Sequence, residues 1–308
     1  MRHIPVMVDE VVEYLLHGRS RVILDGTVGF GGHAEAILRA SDQVRLVGVD
    51  RDPVAIAGAA ERLRGYADRV TLVQGVYSEL DRALLGIGAV DGILLDLGIS
   101  SPQIDDARRG FAHAASGPLD MRMGSEGETA AAMLTRLGAD ELSRMLRDLG
   151  GVRQPRRVAR AIAAAVARGE MVTTADLRNA VTGTLGRGTA TAELSRVFQA
   201  VRIAVNGELN HLRAFLDRAL ASLRPGGRLV ILSYHSLEDR MVKEFMRDAA
   251  SACVCPPSVP VCVCGKVPAL RILTRRALRA TDAEIQKNPR ARSAVLRAAE
   301  KLERGQAS

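Results

Sequence analysis

Two kinds of hydrophobic pattern alternate along the first hundred residues. Short runs of consecutive apolar, largely β-branched residues predict four strands, at residues 21–29, 44–50, 70–75 and 90–98. Stretches with apolar positions at helical spacing follow the first two strands and predict helices. Strands that are apolar throughout are typical of a parallel sheet covered by helices on both faces. The pattern therefore predicts an α/β domain with right-handed crossover connections.

The pattern changes between residues 105 and 204, where apolar positions follow only the helical period, as in ADELSRMLRDLG and RRVARAIAAAVARG. The turn LRPGG then leads into a fifth strand, GRLVILSYHS, and the runs ALRILT and SAVLRAAE predict closing strands. We therefore expect a discontinuous α/β domain of residues 1–104 and 205–308. A helical domain of residues 105–204 is inserted between its strands four and five.

Composition narrows the function more than the fold. The formal net charge is +8, supplied mostly by arginine. A basic surface favours an anionic partner such as nucleic acid, whereas an aromatic content of 3% argues against a broad platform for stacking bases. The N-terminus is acidic where a signal peptide needs an apolar core, and no apolar run reaches the ~18 residues that span a bilayer. We expect a cytoplasmic protein with reduced cysteines and no membrane partner.

The end of each predicted strand carries a residue suited to ligand binding. Residues 25–33, DGTVGFGGH, form a glycine-rich loop after strand one, where the backbone can approach a ligand closely. Asp50 ends strand two, where a carboxylate can accept both ribose hydroxyls, and Tyr77 follows strand three, where a ring can lie against adenine. Asp96 ends strand four. Because ligands bind at the carboxyl ends of parallel strands, these positions predict a nucleoside-type ligand.

Each of these residues also has a simpler explanation. Residues 29–34 satisfy the dinucleotide pattern G-x-G-x-x-A, so a nicotinamide cofactor stays possible. The glycines can also form an ordinary tight turn. Asp50 can be a helix N-cap, although Asp52 fits that position better because it directly precedes Pro53.

Longer motifs make the pattern specific. They run nearly from end to end of the chain: HIPV at 3–6, DGT to His33, DGILLDLGISSPQ at 91–103, RGF at 109–111, GPLDMRM at 117–123, RVFQAVRI at 196–203, VNGEL at 205–209, LRPGGR at 223–228, SYHSLEDR at 233–240 and NPRARS at 288–293. In these motifs the chain resembles the RsmH (MraW) family. That family comprises bacterial enzymes that methylate N4 of a cytidine in the decoding region of small-subunit ribosomal RNA.

The resemblance implies a Rossmann-like class I methyltransferase domain that uses S-adenosylmethionine (SAM), interrupted by a helical substrate-recognition domain. It implies small-subunit ribosomal RNA, in an assembled or nearly assembled subunit, as the partner. It also implies cofactor contacts by Gly31, Gly32, His33, Asp50, Tyr77, Asp96 and Gln103. His33 and Gln103 rest on the resemblance alone.

The chain departs from the family pattern at two places. It has Gly151-Val152-Arg153-Gln154 where the family usually has paired glutamates, which puts any role of those acids here in doubt. It has Tyr77 where phenylalanine is common, a mild change for a stacking ring.

Transfer of a methyl group to N4 of cytosine needs alignment more than acid or base strength. The N4 lone pair is delocalised into the ring, so an acceptor for an N4 proton would activate it. Asp96 can hold the methionine part of the cofactor, activate N4, or do both, and the cofactor role is favoured. His235, at the end of strand five, can act in the same crevice or only satisfy nearby backbone. Tyr234 or Phe111 can stack an extruded cytosine, with core packing the stronger interpretation for Phe111.

Four cysteines are crowded near the C-terminus as Cys253-x-Cys255-x6-Cys262-x-Cys264. They can hold zinc, remain reduced loop thiols, or form an oxidation-sensitive patch. Because structural zinc more often has two residues between paired cysteines, we assign no metal among the expected cofactors. The basic stretches Arg153–Arg160 and Arg271–Arg279 are candidate phosphate contacts, or solvated faces.

Three other functions remain consistent with parts of the pattern. An amino-methyltransferase acting on DNA would share the cofactor residues. A nicotinamide dehydrogenase would use the glycine loop but leave the motif after Asp96 unexplained. A non-catalytic RNA-binding or assembly factor would retain only the cofactor fold.

Overall fold

The computed structural model describes residues 5–18, 20–79, 87–185, 190–256 and 261–303. The first residues of the HIPV motif, His3 and Ile4, lie outside these ranges. The chain divides into two compact units, the sheet unit (Met1–Gly98 with Asn210–Ser308) and the helical unit (Ile99–Leu209). The predicted boundaries, after residues 104 and 204, lie six residues later at the first junction and five residues earlier at the second. No helix of the described residues is long and apolar enough to cross a membrane.

The described residues of the sheet unit form a sheet with the strand order β3-β2-β1-β4-β5-β8-β6, and β7 pairs with β8. Strands β1 to β5 are parallel, whereas β6, β7 and β8 pair antiparallel. The bounds are β1 Val22–Asp25, β2 Arg45–Asp50, β3 Val70–Gln74, β4 Val90–Asp96, β5 Leu223–Ser233, β6 Leu270–Ile272, β7 Leu278–Arg279 and β8 Val295–Lys301. The predicted Rossmann-like α/β fold, interrupted between strands four and five, is confirmed.

Two details of the strands differ from the sequence prediction. The two-residue strand β7 was not predicted, because so short a run has no visible alternation. The expected turn at residues 223–227 lies within β5, whose pairing with β4 shifts register between Val90 and Gly92. Gly226 has φ +77°, a left-handed angle that suits such an irregularity.

Alternate residues of each central strand enter two different cores. Ile23 and Leu94 belong to one cluster of buried side chains, and their neighbours Leu24 and Leu95 belong to another. Successive side chains of a strand point to opposite faces, so both faces of this sheet are covered. The consecutive apolar runs are therefore explained. The helices of the unit are α1 Val8–Leu15, α2 Gly32–Ala40, α3 Pro53–Arg62, α11 Ser236–Ala250 and α12 Asp282–Lys287, and α10 (Glu208–Ser222) carries the second unit boundary.

The helical unit has its own core, built from the apolar faces predicted by the helical period. Its helices are α4 Ser101–Asp105, α5 Ala130–Arg136, α6 Ala139–Gly150, α7 Pro155–Ala167, α8 Thr174–Leu185 and α9 Ala190–Asn206. Gly150 lies so close to α9 that an added Cβ would be 2.5 Å from the Arg196 carbonyl oxygen. A larger residue there would force the two helices apart.

Asn206 fastens the GPLDMRM loop to the end of α9. Its side-chain amide donates to the carbonyl oxygens of Met121 and Arg202 over 2.8 and 2.9 Å, and its oxygen accepts the Met123 N–H over 2.8 Å. Met121 has φ +58°, an unusual angle for a non-glycine residue. Asn206 is buried, and its side chain makes all three of these hydrogen bonds. Its role in the VNGEL motif is therefore to stabilise the fold of the helical unit.

The position that lacks the family's paired glutamates is well ordered by other contacts. Val152 is buried, and the Arg153 N–H donates to Glu193 Oε2 over 3.0 Å. Glu193 is itself buried and also accepts from the Arg196 guanidinium. Glu193 thus places a carboxylate beside this turn.

Candidate functional site

The loop after β1 reverses the chain through two glycines in left-handed backbone conformations. Gly29 has φ +53° and Gly31 has φ +77°, angles that few other residues adopt without strain. Gly31 is the N-cap of α2, so the loop delivers free N–H groups at a helix start. Gly32 follows, and an added Cβ there would lie 3.1 Å from Pro5. The predicted glycine loop is therefore a tight backbone turn at the carboxyl end of β1.

Asp50 ends β2 and organises this loop. Its Oδ2 accepts the Gly29 N–H and its Oδ1 accepts the Asp52 N–H, each over 2.9 Å. Burial raises the pKa of Asp50 to about 6, although both hydrogen bonds act in the opposite direction. Asp52, rather than Asp50, caps α3 by accepting the Val54 N–H, so the capping interpretation of Asp50 is wrong. Each Asp50 oxygen retains a second lone pair for a hydroxyl donor.

Asp25 is a third carboxylate at this edge, which the sequence analysis included only as part of the glycine loop. It is 1% exposed, and its carboxylate accepts the Thr27 N–H over 3.2 Å. Burial raises the pKa of Asp25 to about 8, and the negative charges of Asp96 and Asp50 raise it further. The carboxylates that end β1, β2 and β4 therefore interact electrostatically. A clue in the sequence was available, because each is an aspartate at a strand end.

Asp96 ends β4 and is held by three contacts. Its backbone N–H donates to Thr27 Oγ1 over 2.6 Å, and the Tyr234 hydroxyl donates to its Oδ1 over 2.7 Å. His33 Nδ1 lies 3.5 Å from its Oδ2. Burial, and then the charge of Asp96, raises the pKa of Tyr234 well above its usual value, so the hydroxyl keeps its proton and donates. The Asp96 carboxylate therefore has a fixed orientation while one-fifth of its side chain stays exposed.

His33 connects Asp96 to the N-terminal segment. Its side chain is buried, and Nε2 lies 2.8 Å from the Val6 carbonyl oxygen. A carbonyl oxygen only accepts, so Nε2 carries the proton and Nδ1 faces Asp96. His33, a candidate from the resemblance alone, thus lies beside Asp96, a candidate from the strand pattern, and both belong to the sheet unit.

Tyr77 lies beside the same loop. Its ring packs edge to face against Phe215, with centroids 5.5 Å apart. A Cβ added to Gly26 would lie 3.1 Å from the Tyr77 Cβ, so glycine is required for this approach. The Tyr77 side chain is partly exposed. Contact with adenine remains a prediction for this ring.

Gln103 and His235 both perform capping roles, and only that of Gln103 was absent from the sequence-based expectations. In the helical unit, Gln103 Oε1 accepts the Ser100 N–H over 2.9 Å, and the Ser100 hydroxyl accepts the Gln103 N–H over 3.4 Å. In the sheet unit, His235 caps α11 by accepting the Glu238 N–H at Nδ1 over 3.4 Å. His235 Nε2 lies 3.1 Å from Glu238 Oε1, without the angle of a hydrogen bond. The alternative that His235 satisfies nearby backbone is therefore realised, and its catalytic role stays a prediction.

The two aromatic candidates for stacking cytosine are both engaged in other contacts. Phe111 is 7% exposed within the core of the helical unit, with the Arg109 guanidinium 5.9 Å from its ring centroid. Core packing is thus the observed role of Phe111. Tyr234 directs its hydroxyl to Asp96, and Gly98 packs against its ring.

The three aspartates at the carboxyl ends of β1, β2 and β4 favour SAM over a dinucleotide as the ligand. SAM brings a cationic sulfonium, an ammonium group and two ribose hydroxyls, all of which interact favourably with carboxylates. The pyrophosphate of a nicotinamide cofactor would bring negative charge to Asp25, Asp50 and Asp96, two of which already have raised pKa values because they are buried together. The residues placed to hold SAM are the loop glycines, Asp50 for the ribose and Asp96 for the methionine part, and each of these roles stays a prediction.

Asp50→Ala is expected to weaken SAM binding by ~1–3 kcal/mol, the scale of a lost hydrogen bond to a charged group, together with the loss of the Gly29 anchor. Isothermal titration calorimetry measures the change. Asp52→Ala is the matched control, because it removes a neighbouring carboxylate that caps α3. It is expected to lower stability by about 1 kcal/mol with little effect on affinity. A folded Asp50→Ala variant with unchanged affinity would remove Asp50 from the site.

The SAM-free protein is expected to lose stability as pH rises from 6 to 8. The folded-state pKa of Asp25 is about 8, whereas the ordinary pKa of an aspartate is 3.8, so the folded protein binds this proton more tightly than the unfolded chain does. That contribution is present at low pH and is lost as pH rises through the folded pKa. Over this window it amounts to about 2 kcal/mol. Asp25→Asn should abolish most of this loss, as measured by urea unfolding at pH 6 and 8. Equal pH dependence in both proteins would contradict the assignment.

Comparison with known proteins gives a consistent picture. The model of the MraW methylase family matches residues 1–302. The chain is 47% identical over 308 residues to "Ribosomal RNA small subunit methyltransferase H" of Syntrophotalea carbinolica, covering 98% of each protein. It is 48% identical to the protein of the same name from Geobacter sulfurreducens, covering 97% of this chain and 99% of that protein.

Solved structures resemble the chain only weakly. The N-methyltransferase NodS of Bradyrhizobium japonicum, in complex with S-adenosylhomocysteine, is 11% identical with a TM-score of 0.44 over 96% of this chain and 86% of that chain. A likeness at this level has no bearing on activity, whereas the family model and the full-length relatives do. The chain therefore belongs to the MraW methylase family, and its methyl donor is S-adenosylmethionine.

Proposed function

We propose that the chain methylates N4 of a cytidine in the decoding region of small-subunit ribosomal RNA. The observation that carries this proposal is the match to proteins named ribosomal RNA small subunit methyltransferase H, at 45–49% identity over nearly the whole of both chains. The substrate is an assembled or nearly assembled small subunit in the cytoplasm. Supporting this substrate are the +8 net charge and the motif resemblance.

In the proposed reaction SAM supplies a methyl group from its positively charged sulfur. The rest of the cofactor leaves as a neutral thioether. Asp96 orients the methionine part and accepts an N4 proton, which raises the electron density on the nucleophile. The hydrogen bonds that Asp96 makes with Thr27 and Tyr234 hold its carboxylate in place before substrate arrives. Such fixed orientation lowers the barrier, because little rearrangement is needed at the moment of transfer.

The helical unit is proposed as the substrate-recognition domain. Its helix α7 exposes Arg156, Arg157 and Arg160 on one face, next to the 72%-exposed side chain of Arg153. No acid among the described residues pairs with Arg156 or Arg160, so their charges are available to phosphates. In the sheet unit Arg275, Arg276 and Arg279 are exposed, whereas Arg271 pairs with Glu300 over 2.7 Å. Arg153 Nε lies 3.9 Å from Glu193 Oε1, a longer ion pair than that of Arg271, so the first of these stretches is the better candidate for phosphate contacts.

The test is to identify the methylated nucleoside. Purified protein is incubated with methyl-labelled SAM and small subunits from cells that lack this protein. The RNA is then digested for mass spectrometry and mapped. N4-methylcytidine at a decoding-region cytidine is expected, with Asp96→Asn as the inactive control. Label at another nucleoside, or no label with folded protein that binds SAM, would contradict the proposal; the second outcome would favour a non-catalytic RNA-binding role.

A further inference from the structure

The segment between α11 and β6 contains the four cysteines, and the part of it that the structure describes has no apolar core. None of its described residues, 251–256 and 261–268, is buried. The valines among these described residues, at positions 254, 261, 263 and 267, are exposed by 60% or more. The segment leaves and rejoins the fold at one place, because the Ala269 N–H donates to the Ala249 carbonyl oxygen over 2.8 Å. A loop without buried side chains needs another source of order, such as a cross-link or a metal.

The four sulfurs converge on a single point. The Sγ–Sγ distances are 3.4 Å for Cys253–Cys262, 3.5 Å for Cys262–Cys264, 3.9 Å for Cys253–Cys264 and 4.0 Å for Cys255–Cys262. A tetrahedron with metal–sulfur bonds of 2.3 Å has sulfurs about 3.8 Å apart, which is the middle of this range. A disulfide would need about 2.05 Å. The cysteine cluster (Cys253, Cys255, Cys262 and Cys264) therefore has the dimensions of a tetrathiolate site for one ion.

Backbone N–H groups are directed at the sulfurs of this cluster. The Val254 N–H donates to Cys264 Sγ over 3.5 Å, and the Cys255 N–H donates to Cys253 Sγ over 3.3 Å. Donors of this kind stabilise thiolates and orient metal ligands. The second of these arises from the single residue between Cys253 and Cys255, which brings the Cys255 N–H back to the Cys253 sulfur, whereas the first joins the two cysteine pairs. The short spacing that counted against zinc in the sequence thus supplies one of its supporting hydrogen bonds.

We propose that the cysteine cluster binds one Zn²⁺ as a structural tetrathiolate centre. Each thiol releases its proton to solvent as its bond to zinc forms, and no oxidation or reduction takes place. Four sulfur ligands in tetrahedral geometry select zinc or iron among the common metals, and zinc needs no redox partner. All four sulfurs lie within 4.8 Å of one another, which encloses a single ion. The metal orders the loop that connects α11 to β6, independently of the proposed methylation.

The test uses the full chain, purified under reducing conditions and made metal-free. Zinc titration against a competing chelator should give one tight site per chain, and cobalt should give the visible spectrum of a tetrahedral tetrathiolate. Cys255→Ser and Cys262→Ser should each weaken zinc binding more than about tenfold. Val263→Ser, an exposed change between two of the cysteines, is the matched control and should bind zinc like the wild type.

Calorimetry with SAM confirms that each variant is folded. The zinc measurements do not depend on methylation, so they can be interpreted even if the methylation proposal fails. Four thiols that react freely while zinc is present would overturn the proposal. So would iron as the bound metal of the protein as isolated, a mass that shows disulfides, or serine variants that bind zinc like the wild type.

Discussion

Replacing Asp96 with asparagine is expected to slow methyl transfer by about 10²–10⁴-fold, the range for loss of a positioned acid–base group. Asparagine keeps the shape and can still accept from the Tyr234 hydroxyl, but it carries no charge and takes no proton. If Asp96 also holds the methionine part, as we propose, SAM affinity should fall by about tenfold or more. Single-turnover rates at saturating SAM, together with calorimetric affinities, separate the two contributions.

Tyr234→Phe is the matched control for this variant. It deletes the hydroxyl that donates to Asp96 over 2.7 Å and leaves the carboxylate in place. A loss of about tenfold is expected, since one hydrogen bond to a charged group is removed. If Asp96→Asn retains both SAM affinity and rate, Asp96 plays neither role. Reduced affinity with a normal rate at saturation would leave only the cofactor role.

Methylation is expected to be at least about 10³-fold faster on intact small subunits than on a short hairpin with the same cytidine, and to fall steeply with salt. Extruding a base from structured RNA costs a few kcal/mol, which contacts elsewhere must offset. This chain has few aromatic residues for stacking but exposes arginines on α7. Recognition should therefore rest on phosphate positions and shape. Single-turnover rates on subunits, protein-free RNA and hairpin across a salt series provide the measurement.

Four arginines on and before α7 provide the sharpest form of this test. Changing Arg153, Arg156, Arg157 and Arg160 to glutamine should reduce the slope of log affinity against log salt by about 3, since each phosphate contact contributes nearly one. The matched control removes the same charge from arginines that are already paired with acids of the helical unit: Arg108, Arg136, Arg147 and Arg168. Equal slopes in both variants, or equal rates on hairpin and subunit, would refute phosphate recognition by α7.

The site residues illustrate how far local sequence can lead. Asp50 and Asp96 could be predicted because each ends a strand, and parallel strands bring such ends to one edge. Asp52 could be predicted as the cap of α3 from the proline that follows it. The contact between Tyr234 and Asp96 could not, because it joins residues 138 positions apart. Nor could the raised pKa of Asp25, which arises from burial and from two other carboxylates.

The sequence by itself determined the α/β alternation, the parallel strands, the helical insertion and the glycine loop. Each depends on the period or continuity of apolar residues, on the order of strands and helices, or on local backbone preference. Only the tertiary structure decided that β8 runs antiparallel to β5, that His235 caps a helix, and that four cysteine sulfurs meet at one point. These features depend on distances between segments that are remote in the chain. Side-chain period is the same in parallel and antiparallel strands, and cysteine spacing does not specify where the sulfurs lie.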